Sequence, residues 1–207
     1  MTQPLLPALQ NTVASLISES HQIQPERKEL LKQLTEFVQN KIVDRKPIYL
    51  NFICTHNSRR SHISQLWAQA AAHYYGIKNV TCLSGGTEAT AFNPRAVKAM
   101  QDAGFNISIK KDGENPLYEV RFADNALPVL AFSKTYDDPF NHNQDFAAVM
   151  TCSHADSNCP MVLGASKRIA LTFNDPKEFD GTPLESAKYA ERVREIGREI
   201  LYAFSLL

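Results

Sequence analysis

Cys54 and Arg60 bracket a run of small polar residues, Cys54-Thr55-His56-Asn57-Ser58-Arg59-Arg60-Ser61. Before it lies a short apolar, β-favouring stretch from Pro47 to Ile53. After it comes a helical pattern of Ile63, Leu66, Trp67 and Ala70, closed by Gly76. Strand, loop and helix are therefore predicted in that order. At such a junction successive backbone N–H groups converge on one point, and helix N-termini and nests of this kind hold tetrahedral anions. The same N–H groups and the helix dipole give a cysteine thiolate character, making Cys54 a nucleophile near neutral pH. The guanidinium of Arg60 can hold two equatorial oxygens of the anion through its fork. Thr55, His56, Asn57, Ser58, Arg59, Arg60 and Ser61 form the candidate binding loop. Ser61 can hydrogen-bond the thiolate or cap the helix, and Asn57 can brace the loop through its amide or form an ordinary turn.

Three further cysteines, Cys82, Cys152 and Cys159, are the other groups able to do sulfur chemistry. The N-terminus has no basic region followed by an apolar run, and no stretch approaches the roughly 18 apolar residues of a membrane span. A soluble, cytoplasmic protein is expected, in which cysteines are reduced, catalytic or redox-active rather than a disulfide framework. Cys82 falls inside a predicted strand and reads as core packing. The histidines share no metal-ligand spacing with the cysteines, and Cys152, His154 and Cys159 would still need a fourth ligand for zinc, so no metal is expected. With 22 basic and 22 acidic side chains the chain is formally neutral. Nothing in its bulk charge argues for nucleic acid or an anionic membrane, and any anion binding must be local.

The elements that position these groups follow from periodicity. Residues 1–45 carry apolar positions at Leu5, Leu9, Val13 and Ile17, then at Leu30, Leu31, Leu34, Phe37 and Val38. This spacing predicts a helical hairpin, its second helix opened by Pro25. It either covers the core, forms a homodimer or shields the site, core cover being the default. Beyond the first strand, loop and helix, the alternation continues with strand 79–84, helix 94–103, strands 146–151 and 168–173, and a helix over 183–205. Such alternation predicts an α/β domain over 46–207 with a parallel sheet and covering helices. The stretch 109–145 reads as an insertion containing a hairpin, Tyr118 to Phe122 and Leu127 to Phe132.

From residue 47 to 205 the sequence resembles the low-molecular-weight protein tyrosine phosphatase family, and more closely its thioredoxin-coupled arsenate reductase branch. The resemblance rests on Cys-Thr-x-Asn-Ser-x-Arg-Ser, on Leu-Ser-Gly-Gly followed by Asn93-Pro94-Arg95-Ala96-Val97 and Met100, and on Met150-Thr151-Cys152 with Cys159-Pro160-Met161 beyond it. Phe173-Asn174-Asp175-Pro176 resembles the loop carrying the family's general acid. The cysteine pair is the feature not expected of a plain phosphatase. Asp138-Pro139 precedes that pair, so Asp175 takes the acid role. Two departures mark the loop: His56 replaces the usual glycine, and Arg59 stands where an uncharged residue is common. Gln65 occupies the position of a glutamate in potassium-binding members, so no potassium site is carried over.

The resemblance implies a four-stranded parallel sheet with helices on both faces. It implies catalytic Cys54, Arg60, Asp175, Cys152 and Cys159 acting on arsenate, with no tightly bound cofactor and a thioredoxin-like thiol donor as partner. The alternative it leaves open is hydrolysis of phosphotyrosine or a small aryl phosphate through a phosphocysteine, for which Cys54, Arg60 and Asp175 suffice. A third reading, an interaction module with a vestigial site, fits poorly with an intact set of these residues.

Overall fold

The computed structural model describes residues 2–158 and 161–207. Four strands, β1 (Ile48–Cys54), β2 (Val80–Gly86), β6 (Phe146–Met150) and β7 (Ala165–Ala170), form a parallel sheet in the order β2-β1-β6-β7. Parallel strands are buried on both faces, which is why β1 and β6 read as near-continuous apolar runs. Leu50 and Phe52 of β1 enter the main core with Ala147 and Val149 of β6. Ile53, Ala148 and Met150 enter a smaller cluster on the opposite face. Covering helices are α3 (Arg60–Tyr74), α4 (Pro94–Asp102) and α6 (Glu185–Ser205), while the short α5 (Ser153–Asn158) contributes Ala155 to the smaller cluster. α1 (Pro7–Ser18) packs on α6, and α2 (Pro25–Val43) packs on α6, β7 and β1. Leu9, Val13, Leu16, Leu31, Leu34 and Val38 of this hairpin are all completely buried. No helix of the described residues is long and apolar enough to cross a membrane.

Three details differ from expectation. The stretch after residue 105 forms its own three-stranded antiparallel sheet, with β3 (Asn106–Lys111) against β4 (Leu117–Arg121) and β4 against β5 (Val129–Ala131). The sequence showed only the last two strands, because in Asn-Ile-Ser-Ile-Lys-Lys the apolar face is just Ile107 and Ile109, of which only Ile107 is buried. The last parallel strand runs Ala165–Ala170 rather than 168–173, since its neighbour β6 ends at Met150. Leu171 and Phe173 stay buried without a ladder beside them, and the Phe173 N–H donates to the Thr151 carbonyl at 3.1 Å. The polar run after Cys152 is helical, as α5.

Candidate active site

The loop between β1 and α3 is held from behind. The Thr87 and Glu88 N–H groups donate to the carbonyls of Cys54 (3.1 Å) and Thr55 (2.8 Å), and the hydroxyls of Thr90 and Ser133 donate to the His56 carbonyl at 3.1 and 3.0 Å. With carbonyl groups satisfied on the protein side, N–H groups are left for the concave side. Gly86 is required here, because a Cβ would lie 2.6 Å from the Thr55 oxygen and 2.7 Å from the Asn57 nitrogen. Asn57 adopts φ +43°, a left-handed conformation that asparagine tolerates better than most residues. Its buried side chain fixes that turn: Nδ2 donates to Ser61 Oγ at 2.8 Å, and Oδ1 accepts the Lys134 N–H at 2.9 Å.

Ser61, in the first turn of α3, lies with its hydroxyl 3.1 Å from Cys54 Sγ. Since Asn57 Nδ2 already donates to that oxygen, the hydroxyl hydrogen is available to the sulfur. Cys54 is 4% exposed, at the end of β1. Arg60 opens α3; its guanidinium donates to the Phe173 carbonyl at 3.0 Å and to Asp175 Oδ2 at 2.5 Å. Its Nε is buried with no hydrogen-bond partner among the described residues. A buried guanidinium N–H without an acceptor is costly, by about 1–3 kcal/mol or more, unless a ligand supplies one. The other oxygen of Asp175 accepts the Lys177 N–H at 3.1 Å, capping the 3₁₀ turn Pro176–Phe179.

The remaining candidate residues separate. Ser58 Oγ donates to the Ala91 carbonyl at 2.8 Å. The His56 ring is largely exposed, 3.8 Å from Glu88. The Arg59 guanidinium is committed to Tyr189 and Asp180 rather than lining the loop with Arg60. Cys152 sits just past β6, where Thr151 donates from its N–H (2.7 Å) and hydroxyl (2.9 Å) to the Ile53 carbonyl, tying the end of β6 to the end of β1. Cys152 Sγ accepts the Ala155 N–H at 3.3 Å, in the manner of a helix cap, and lies 3.5 Å from Thr55 Oγ1. That oxygen is in turn 3.3 Å from His154 Nδ1. Cys54 and Cys152 share the smaller apolar cluster. Cys159 lies outside the described residues. Cys82 is buried, its thiol pushed up by desolvation and so unreactive.

Sequence reasoning missed three residues around this site. His62, completely buried behind the loop, stacks on Phe92 at a centroid distance of 4.2 Å and places Nδ1 3.3 Å from Ser84 Oγ. Burial and the nearby Lys134 ammonium hold its pKa well below the usual 6.5, so it stays neutral. Lys134 is 2% exposed, and burial depresses its pKa to about 8. Tyr189 of α6 is buried, and its hydroxyl donates to Asp180 Oδ1 at 2.8 Å. Lys134 and Tyr189 come from distant chain positions, and His62, though next to Ser61 in α3, is set in place by Phe92, Ser84 and Lys134 from elsewhere in the chain.

Fold and site together define a class: parallel α/β proteins in which a central strand ends on a cysteine and the loop after it leads to an arginine that opens the next helix. The family described as low molecular weight phosphotyrosine protein phosphatase matches residues 49–120. An arsenate reductase of Bacillus licheniformis is 35% identical over 159 residues, which cover 76% of this chain and 94% of the relative. One of Bacillus subtilis is 32% identical over the same coverage. A low molecular weight phosphotyrosine phosphatase from Vibrio cholerae shares the fold with a TM-score of 0.50 at 14% identity, over 76% of this chain and 94% of that one. The chain belongs to the low molecular weight phosphotyrosine phosphatase family, on its arsenate reductase branch.

Proposed function

We propose that this enzyme reduces arsenate to arsenite, with Cys54 as nucleophile and Cys152 and Cys159 as the redox pair. Cys54 thiolate attacks arsenic in arsenate held by the loop N–H groups and Arg60; an As–S bond forms, an As–O bond breaks, and Asp175 gives the departing oxygen its proton. Cys152 thiolate then attacks Cys54 Sγ. The S–As electron pair moves to arsenic, which falls from the +5 to the +3 state and leaves as arsenite, while a Cys54 to Cys152 disulfide forms. Cys159 thiolate attacks Cys152, freeing Cys54 and leaving a Cys152 to Cys159 disulfide for a reductant of the thioredoxin class. The observation that carries this reading is the seat of Cys152. Its sulfur is capped by the Ala155 N–H and lies 3.5 Å from the hydroxyl of Thr55, the residue next to Cys54. A phosphatase needs no second thiol there.

The test is a paired assay of the fully reduced protein: arsenate-dependent oxidation of thioredoxin beside hydrolysis of an aryl phosphate, each repeated with Cys152→Ser. Arsenate turnover is expected to vanish in the variant. Aryl phosphate hydrolysis indifferent to Cys152, without arsenate turnover in the parent, would make the enzyme a phosphatase.

A further inference from the structure

Adjacent arginines of the loop diverge. Arg60 holds the beginning of the segment 173–180, through the Phe173 carbonyl and Asp175. Arg59 reaches its end, where Nε donates to the Tyr189 hydroxyl at 2.7 Å and Nη2 donates to Asp180 Oδ2 at 3.2 Å. The Tyr189 hydroxyl donates in turn to Asp180 Oδ1 at 2.8 Å, closing a three-membered ring of side chains from the loop, the acid segment and α6. Tyr189 is 1% exposed, and the Arg59 side chain 11%. Arg95 of α4 backs the ring, its Nε 2.8 Å from Glu185 and 3.9 Å from Asp180.

This arrangement answers why a second arginine beside the anion site does not simply strengthen anion binding. Its charge is neutralised by Asp180, and its Nε and Nη2 donate within the ring. What the ring supplies is position. Between Phe173 and Asp180 the chain has one short 3₁₀ turn and no ladder, so without anchors at both ends it would sample many conformations. A general acid must sit within hydrogen-bond reach of the oxygen it protonates, and a displacement of an ångström can lower a rate by about 10²-fold. We propose that Arg59, Asp180 and Tyr189 are positioning residues that fix the far end of the acid segment and thereby hold Asp175 at the oxyanion gripped by Arg60. The inference rests on the reading of Asp175 as general acid. Burial lifts the Tyr189 hydroxyl to about 12, which keeps it a donor throughout the working pH range.

The test measures single-turnover formation of arsenite by reduced protein at a series of arsenate concentrations. Tyr189→Phe, Asp180→Asn and Asp175→Asn are compared with the parent and with the doubles Tyr189→Phe/Asp175→Asn and Asp180→Asn/Asp175→Asn. Tyr189→Phe and Asp180→Asn are expected to lower the maximal rate by about tenfold or more with half-saturation by arsenate unchanged, a smaller fall than removing the acid outright, which is worth roughly 10²–10⁴. In the Asp175→Asn background the same substitutions are expected to do nothing further, because they act through Asp175. Additive losses, or a loss in arsenate binding alone, would overturn the positioning role. An Asp175→Asn variant as fast as the parent would overturn the acid assignment itself, a different result from the first. Tyr189→Phe preserves the ring's shape, so it tests the inference even where Asp180→Asn does not fold.

Discussion

At the scale of single residues, the loop depends on groups that never touch the anion. His62 lies behind it, fully buried and neutral, with Nε2 lacking a partner among the described residues. Its folded pKa is depressed below the ordinary 6.5 by burial and by Lys134. The unfolded chain therefore binds a proton near pH 6.5 that the folded chain refuses, so stability is full above that pH and falls as pH drops below it. The decline is at most about 1.4 kcal/mol per pH unit for this one group. Urea unfolding from pH 8 to pH 5 is expected to show that fall in the parent and a flatter profile in His62→Met. An identical slope in both would assign the acid sensitivity to other groups. That Cys54, Asn57, Arg60 and Ser61 would share one loop was legible in the sequence because their spacing is local. His62, Lys134 and Tyr189 were not, because a buried polar residue announces itself only through neighbours that the fold brings from elsewhere.

At the scale of elements, strongly periodic or fully buried segments were readable, and segments whose structure depends on a partner were not. The helices of 7–43 and 185–205 and the strands β1 and β6 carry their own patterns. By contrast β3 exists because β4 lies beside it, and α5 because Cys152 caps it. α5 is short, and an isolated helix of 6 residues is far below what is stable in water. It is held by tertiary anchors: Arg168 of β7 contacts the Asp156 carboxylate at 2.5 Å as well as its carbonyl, and Ala155 packs in the smaller cluster. Arg168→Gln removes the ion pair, half-exposed and worth about 0–1 kcal/mol globally, so the melting temperature is expected to shift little. Locally the effect is larger, because few other contacts hold the helix. Hydrogen exchange at 154–158 is expected to accelerate several-fold. If the Cys152 seat matters to the relay, arsenite release slows with it while aryl phosphate hydrolysis does not. Unchanged exchange in the variant would show that the Cys152 cap and the packing of Ala155 hold α5 without Arg168.

At the scale of the whole molecule, Arg27 links the N-terminal hairpin to α6 and to Phe173 beside the site. Arg27 of α2 donates from Nε to Glu199 of α6 at 2.8 Å, and its guanidinium lies 4.6 Å from the ring centroid of Phe173, whose carbonyl holds Arg60. The Glu199 side chain is 6% exposed; burial raises its pKa, and Arg27 opposes that rise. Removing the arginine leaves a buried carboxylate without its partner, a loss of about 3–5 kcal/mol for pairs of this kind. Arg27→Met is therefore expected to be strongly destabilising, and more so at pH 8 than at pH 5. Its Glu199 would have a folded pKa raised further above the unfolded value, so stability is lost as pH rises through that interval. Pairing Arg27→Met with Glu199→Met removes both charges and replaces them with apolar groups of similar length, an exchange that is often neutral or stabilising. Urea unfolding of the parent, the single variant and the double variant at both pH values separates the cases. Recovery in the double shows that Arg27 serves the hairpin as the compensating charge for buried Glu199. A double variant as weak as the single shows instead that the stacking of Arg27 on Phe173 holds the hairpin, and its arsenate turnover would then fall with its stability.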